Sequence, residues 1–451
     1  MKKILYTFVV FIGLLFALAP SILGFSLLNL GHAINVSTAL GAKLGCSSYF
    51  VSGFSKEQTV KDLASYSPVA NIVTMDYQED NKRVTASLYG MAETSATYRE
   101  GLGCALDAEG AEKLDLVTVK KVVVSDSDEW PLGSLVSHQA PVIQDKVDEI
   151  VRADNEKGYN TRALLVIKDG HLLAETYGPN VNKDTPLLGW SMGKSLTAIM
   201  IGHLQHSKRI ESNPTHLFEQ WQDDQRANLT LVQLLQMSSG LEFDETYAPG
   251  SDATHMLFTA PSASDVAISS PLTKTPGSEF SYSSGTTNLL SRYVHEKLGN
   301  TSQQSYDYLI QQLFEPLGMA NSVFEVDDSG IFVGSSYIYA SGRDWARLGL
   351  LMLNQGEING HRLLTKDWVA AASMPNTSEN DKRYGYQFWL NAGEDELRWP
   401  ALPSDAYAMM GNRKQTVMII PSQGVVFVRL GWTAGDYPME KNYRQLLDVI
   451  N

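Results

Sequence analysis

Cysteine is scarce in this sequence: among 451 residues only Cys46 and Cys104 carry a thiol. No Cys/His cluster has zinc-site spacing. His203 and His206 lie one helical turn apart with no third ligand nearby, and read as ordinary helix-surface residues. A Gly-x-x-x-x-Gly-Lys phosphate loop before a helix is also missing. No metal and no cofactor are expected. Positive charge is in short supply, because 36 Lys and Arg stand against 50 Asp and Glu for a net charge of -14. An acidic surface repels phosphate backbones and disfavours a nucleic-acid partner.

From Ile4 to Ala42 no residue is formally charged, and Lys2 and Lys3 precede the run. Its centre, 4 to 30, is almost wholly apolar, as in a signal peptide or a transmembrane anchor. Ala17-Leu18-Ala19 resembles a cleavage site, but Pro20 follows it directly. Gly31-His32-Ala33 is the next candidate. An uncleaved anchor is expected, with the lysines in the cytoplasm, residues 4–30 in the inner membrane, and the bulk exported. In an exported chain the even pair Cys46 and Cys104 favours a disulfide, with two independent buried thiols as the alternative.

The rest is globular in composition, with 43% hydrophobic and 19% charged residues. Three regions are expected: the segment 1–42, a small α+β unit over 43–127, and one large α/β domain over 128–451. In the small unit, 55–64 has helical composition, and 84–90 and 95–100 alternate as strands do. Asp126 to Trp130 reads as a linker. Beyond it, 142–152 is an amphipathic helix, and 162–168 and 171–177 are strands joined at Asp169-Gly170, a hairpin signal. Residues 210–320 are mainly helical. Ser341-Gly342-Arg343-Asp344 resembles a capping box. Strands follow at 386–390, 406–411, 416–420 and 425–430, then a helix over 439–450. Strands from both chain ends therefore flank a helical insert. They predict a mostly antiparallel sheet flanked by helices, with a helical subdomain beside it.

The chemistry is carried by Gly189-Trp190-Ser191-Met192-Gly193-Lys194-Ser195, followed by an apolar run to Gly202. A bare Ser-x-x-Lys pair occurs about once by chance in a chain of ordinary composition. Here it opens an apolar helix, where positions i and i+3 share a face and the ammonium can reach the hydroxyl. Ser191 is the candidate nucleophile. Lys194 is its base, provided that burial lowers its pKa. N–H groups at the helix start can hold an oxyanion. Tyr282, in Phe280-Ser281-Tyr282-Ser283-Ser284-Gly285, can relay a proton or cap the next helix. The N–H of Asn412, after Gly411 at a strand end, is a second oxyanion donor or an ordinary strand terminus.

Three motifs in order, Trp190 to Ser195, Leu234 to Leu241 and Tyr282 to Gly285, resemble the serine β-lactamase-related family. That family includes class C β-lactamases, D-alanyl-D-alanine carboxypeptidases and esterases. The nearest resemblance is to its 6-aminohexanoate-dimer hydrolase-like branch, and it covers about 128–450. It implies a β-lactamase/transpeptidase-like fold and an acyl-enzyme on Ser191, with Lys194 as base or proton partner and Tyr282 as relay. The N–H groups of Ser191 and Asn412 would form the oxyanion hole. By the same likeness Tyr247 lines the pocket, with Ser284, Trp389, Met410 and Gly411 expected beside it.

Some positions depart from the family pattern. Ser284 replaces the asparagine of the tyrosine motif, and Met409-Met410-Gly411 replaces Lys-Thr-Gly. Two methionines supply neither charge nor hydroxyl for a substrate carboxylate. An esterase or amidase acting on a small molecule is therefore expected ahead of a β-lactamase or carboxypeptidase. Arg413 would restore anion binding if it points inward. Lys414 stands where this branch often has glycine, so the local backbone is expected to differ.

Two rivals remain at this stage. Gly189-x-Ser191-x-Gly193 also satisfies the nucleophile elbow of α/β hydrolases, with His255, His295 or His361 completing a triad. However, Thr185-Pro186-Leu187-Leu188 is a poor central strand. A membrane-tethered binding module without turnover is the other. Intact Ser191, Lys194 and Tyr282 argue against it.

Overall fold

A computed structural model describes residues 27–450 apart from Met91, Gln139 and 393–395. Two bodies pack together. The smaller begins with helix α1 (Leu30–Cys46) and helix α2 (Lys56–Tyr66). A four-stranded antiparallel meander follows: β1 (Thr74–Gln78), β2 (Arg83–Leu88), β3 (Ala92–Arg99) and β4 (Gly103–Leu106). Ser55 starts α2 by accepting from the Gln58 N–H at 3.1 Å, an N-cap that satisfies one of the four orphan donors. β2 alternates half-buried and buried residues, and its Val84 and Ala86 face α1 in a core shared with Ala42 and Cys46. A disulfide joins Cys46 at the end of α1 to Cys104 in β4.

Helix α1 crosses the boundary expected at residue 42. Its buried residues include Thr38 to Cys46, covered by the meander and the larger body. The last part of the uncharged run therefore belongs to a folded core. Among the described residues no helix is long and apolar enough to cross a membrane. Most of the expected anchor falls on 1–26, outside the described residues.

The larger body is built on helix α3 (Pro141–Glu156), strands β5 (Thr161–Lys168) and β6 (His171–Tyr177), and the chain's C-terminal strands. These are β7 (Trp389–Leu390), β8 (Tyr407–Gly411), β9 (Gln415–Ile420) and β10 (Val425–Gly431). The sheet is antiparallel throughout, in the order β7-β8-β9-β10-β5-β6. Strands from the two chain ends therefore close one sheet, as the pattern predicted. Asp169 and Gly170 both have positive φ, as a tight two-residue hairpin demands.

β5 is nearly all apolar because both its faces are covered. Leu164 and Val166 pack with α3 and the C-terminal helix (Met439–Ile450), while Leu165 and Ile167 join the main core. β7 is shorter than expected. Gln387 has φ 62, and its side chain donates to the Leu235 carbonyl at 2.8 Å, so the chain turns there before pairing begins. Trp130 is buried, and Arg347 donates to the Pro131 carbonyl at 2.9 Å and the Gly133 carbonyl at 2.8 Å, so the chain is held against the larger body from the end of the expected linker onward.

Buried polar contacts lock the two bodies together. Lys43 pairs with Glu325, whose carboxylate also accepts from the Ser47 hydroxyl at 2.7 Å and the Cys104 N–H at 2.8 Å. Arg162 pairs with Asp62, and the Trp432 indole donates to the Asp62 carbonyl at 2.9 Å.

Candidate active site

Helix α4 (Met192–His206) carries the nucleophile at its start. It is buried continuously from Met192 to Leu204, on all sides, and is correspondingly apolar all round. His203, read from sequence as surface, is therefore buried and meets the Tyr308 hydroxyl at 2.7 Å. Among the described residues no group of side chains could hold a metal.

Ser191 is the residue before this helix, and Trp190 before it has φ 50. A bulky side chain in the left-handed region costs about 1–3 kcal/mol, so the surroundings must impose it. They do so with rings. Trp190 stacks on Tyr66 at 5.2 Å and 11°, and lies 6.1 Å from Trp432. The following N–H groups are engaged within the turn: Met192 to Gly189, Gly193 to Trp190 and Lys194 to Ser191. Ser191 N–H is not among them. β8 comes close on the other side, since a Cβ on Gly411 would collide with the Gly189 carbonyl oxygen. Gly411 thus permits β8 to approach the Gly189 carbonyl, two residues before Ser191.

Lys194 is 1% exposed, and its Nζ has three partners. They are Ser191 Oγ at 3.2 Å, Ser284 Oγ at 3.0 Å and the Ser335 carbonyl at 3.0 Å. The Ser284 hydroxyl donates to Glu245 Oε1 at 2.6 Å, so towards Lys194 it can only accept. A carbonyl also only accepts. A neutral Lys194 amine therefore gives its two hydrogens to Ser284 and Ser335, and its lone pair points at Ser191. Burial lowers the Lys194 pKa to about 8, against an opposing pull from Glu245. The amine is thus available as a base at mildly alkaline pH.

The Tyr282 ring lies 4.8 Å from Lys194 Nζ, and its hydroxyl faces Ser191. Desolvation holds that hydroxyl well above the ordinary phenol value, so it carries its proton at neutral pH. Trp389 stacks on Tyr282 at 5.3 Å and Tyr384 meets both rings.

The expected pocket residues divide. Tyr247 lines a cavity of about 640 Å³ together with Asn412 of the expected oxyanion hole; Ser191, Lys194 and Tyr282 are not among its lining residues. Trp389 instead stands as the platform under Tyr282. Ser284 is fully buried and links Lys194 to Glu245, so it is a network residue and not a lining one. Met410 is not at the cavity either. Side chains alternate along β8, so Met409 joins the main core and Met410 packs on the opposite face, against the core under α3 and the C-terminal helix. Gly411 acts through close approach to Gly189. Arg413 does point inward, but it donates to the Ser65 carbonyl at 2.6 Å and lies over Tyr66. Arg413 and Lys414 have φ 59 and 66, so the chain keeps at Lys414 a conformation suited to glycine.

Sequence reasoning missed Glu245, which accepts from both the N–H (2.7 Å) and the hydroxyl of Ser284. Ser335 acts through its carbonyl, which leaves no trace in side-chain chemistry. The elbow reading fails on geometry, because the partner of Ser191 is an amine. His255 bonds Thr259, His295 bonds Ser305, and His361 lies in an exposed hairpin.

Residues 147–449 match the beta-lactamase family profile. The chain belongs to the beta-lactamase family. It is a serine hydrolase of that family, and its fold is β-lactamase/transpeptidase-like. A 6-aminohexanoate-dimer hydrolase of Paenarthrobacter ureafaciens is 24% identical over 287 residues, 60% of this chain and 72% of that protein. A penicillin-binding protein homologue from Caulobacter crescentus superposes with a TM-score of 0.55 at 16% identity, over 69% of this chain and 98% of that one. A family VIII carboxylesterase does so with a TM-score of 0.53 at 13% identity, over the same shares. Those two likenesses are of fold. The smaller body lies outside the matched residues.

Proposed function

We propose that this beta-lactamase-family chain is an exported hydrolase that cleaves a small-molecule ester or amide through an acyl-enzyme on Ser191. The observation that carries the reading is the buried Lys194 Nζ, 3.2 Å from Ser191 Oγ and held by Ser284 Oγ and the Ser335 carbonyl, contacts that in the neutral amine would leave its lone pair for the Ser191 hydroxyl. Ser191 Oγ attacks the substrate carbonyl while its proton moves to Lys194 Nζ. The N–H groups of Ser191 and Asn412 hold the resulting oxyanion. As the tetrahedral intermediate collapses, the Tyr282 hydroxyl protonates the departing alkoxide or amine, and the Lys194 ammonium reprotonates Tyr282. Water then attacks the acyl carbonyl by the reverse proton path, releasing the acid and restoring Ser191.

The 6-aminohexanoate-dimer hydrolase relative supports hydrolysis of a small molecule. Hydrolysis of penicillins is not part of the proposal, because neither Met409 nor Met410 offers a donor to a carboxylate. Export and anchoring through residues 4–30 rest on the uncharged run after Lys2 and Lys3, and a disulfide suits an oxidising compartment. Turnover of p-nitrophenyl butyrate, with mass analysis of acid-quenched protein, tests the mechanism. The parent is expected to turn over and to carry a butyryl adduct on the peptide containing Ser191, and Ser191→Ala to do neither. An adduct elsewhere, or an active Ser191→Ala variant, refutes it.

A further inference from the structure

The cavity beside Asn412 is not enclosed by the family domain alone. One wall is Tyr247, Phe258 and Asn412; the other comes from the smaller body, with Val36 and Leu40 of α1 and Tyr66 at the end of α2. Its volume, about 640 Å³, is that of a small-molecule site. Tyr66 stands between the two segments expected to supply the oxyanion hole. Its ring stacks on Trp190, the residue before the nucleophile, and it lines the cavity with Asn412, its hydroxyl facing the Asn412 side chain. The cations at the cavity are engaged: the Arg413 guanidinium donates to the Ser65 carbonyl and lies over the Tyr66 ring, and Lys414 faces Asp436 at 3.9 Å. The remaining surface of Val36, Leu40, Phe258 and tyrosine rings suits an uncharged substrate arm. The contacts that fix this wall are buried, with Lys43–Glu325 and Arg162–Asp62 both spanning the two bodies.

We propose that the smaller body is a working part of the active site: α1 and Tyr66 wall the pocket for an uncharged, medium-length arm of the substrate, and Tyr66 is a positioning residue for Asn412. This rests on Ser191 being the nucleophile.

The test uses the full-length chain and p-nitrophenyl esters from acetate to octanoate, with a parallel series of butyrate esters of lengthening alcohols. Val36→Trp is expected to lower the long-to-short ratio of kcat/KM at least tenfold in one series, and Val36→Ala to preserve or raise it. Tyr66→Phe keeps the ring on Trp190 and loses the hydroxyl. A fall in kcat of roughly tenfold at little-changed KM is expected, where a merely structural role would leave kcat per folded molecule intact. Thermal unfolding checks that each variant is folded. Ser191→Ala separates the two levels of inference. If it still turns over, the active-site reading falls. If it is silent while a folded Val36→Trp keeps the parent's chain-length ratios in both series, or a folded Tyr66→Phe keeps the parent's kcat, the proposal falls alone.

Discussion

Lys43 and Lys194 are both almost fully buried, 3% and 1% exposed. Each lies over a tyrosine ring, at 4.4 Å from Tyr337 and 4.8 Å from Tyr282. Each donates to a backbone carbonyl, and burial pushes both ammonium groups down. They part at the next contact. Lys43 meets the Glu325 carboxylate directly, which holds its charge in place. Lys194 meets only hydroxyl and carbonyl oxygens, and its carboxylate, Glu245, stands one hydroxyl away behind Ser284. One intervening serine thus separates an ion pair that joins two bodies from an amine able to change protonation.

Removing each lysine's function should break the comparison in opposite ways. Lys194→Met is expected to cut kcat about 100- to 10,000-fold, the span of a lost general base, with the unfolding midpoint held or raised. Esterase kinetics beside a melting curve read both. Equal activity in parent and variant would remove Lys194 from the mechanism. Glu325→Gln should do the converse. It leaves Lys43 buried without its counter-charge, and breaking such a pair costs about 3–5 kcal/mol. Denaturant titration is expected to show that loss, while turnover per folded molecule stays far above that of Lys194→Met.

The contrast also explains what the sequence could disclose. Ser191, Lys194 and Tyr282 were legible because an i, i+3 pair on an apolar helix is a local pattern, and the tyrosine precedes its own helix. The strands of the main sheet were legible as apolar runs bounded by turns. Glu245, Ser335 and Tyr66 were not, because each joins the site through contacts between segments far apart in sequence. The facing of Met409 and Met410 depended on strand register. Helix α1 running across residue 42 was not legible either, because an apolar leader and a buried helix ask for the same composition.

Glu245→Gln sharpens the comparison by taking away the remote carboxylate. Glu245 raises the Lys194 pKa, so its loss should move the rising limb of kcat/KM from near pH 8 to lower pH. The maximal rate should also fall, since Ser284 loses the acceptor that orients it. A pH profile from 5.5 to 9.5 measures both; a limb that stays put, or moves up, would disconnect Glu245 from the lysine.

The smallest effect concerns the second carboxylate near Lys43. Asp328 is buried, and desolvation, then repulsion from Asp327, lifts its pKa to about 7 in spite of Lys43. The ordinary value is about 3.9, so between roughly pH 4 and 7 the folded chain holds a proton that the unfolded chain releases. Stability from this group therefore falls as pH rises through that window. Asp328→Asn cannot ionise and should remove the fall. Its unfolding midpoint is expected to match the parent's near pH 4 and to exceed it by about a few °C at pH 8. An equal offset at both pH values would trace the effect to packing. A midpoint below the parent's at pH 8 would mean that the Asp328 carboxylate shares with Glu325 the task of holding Lys43 charged.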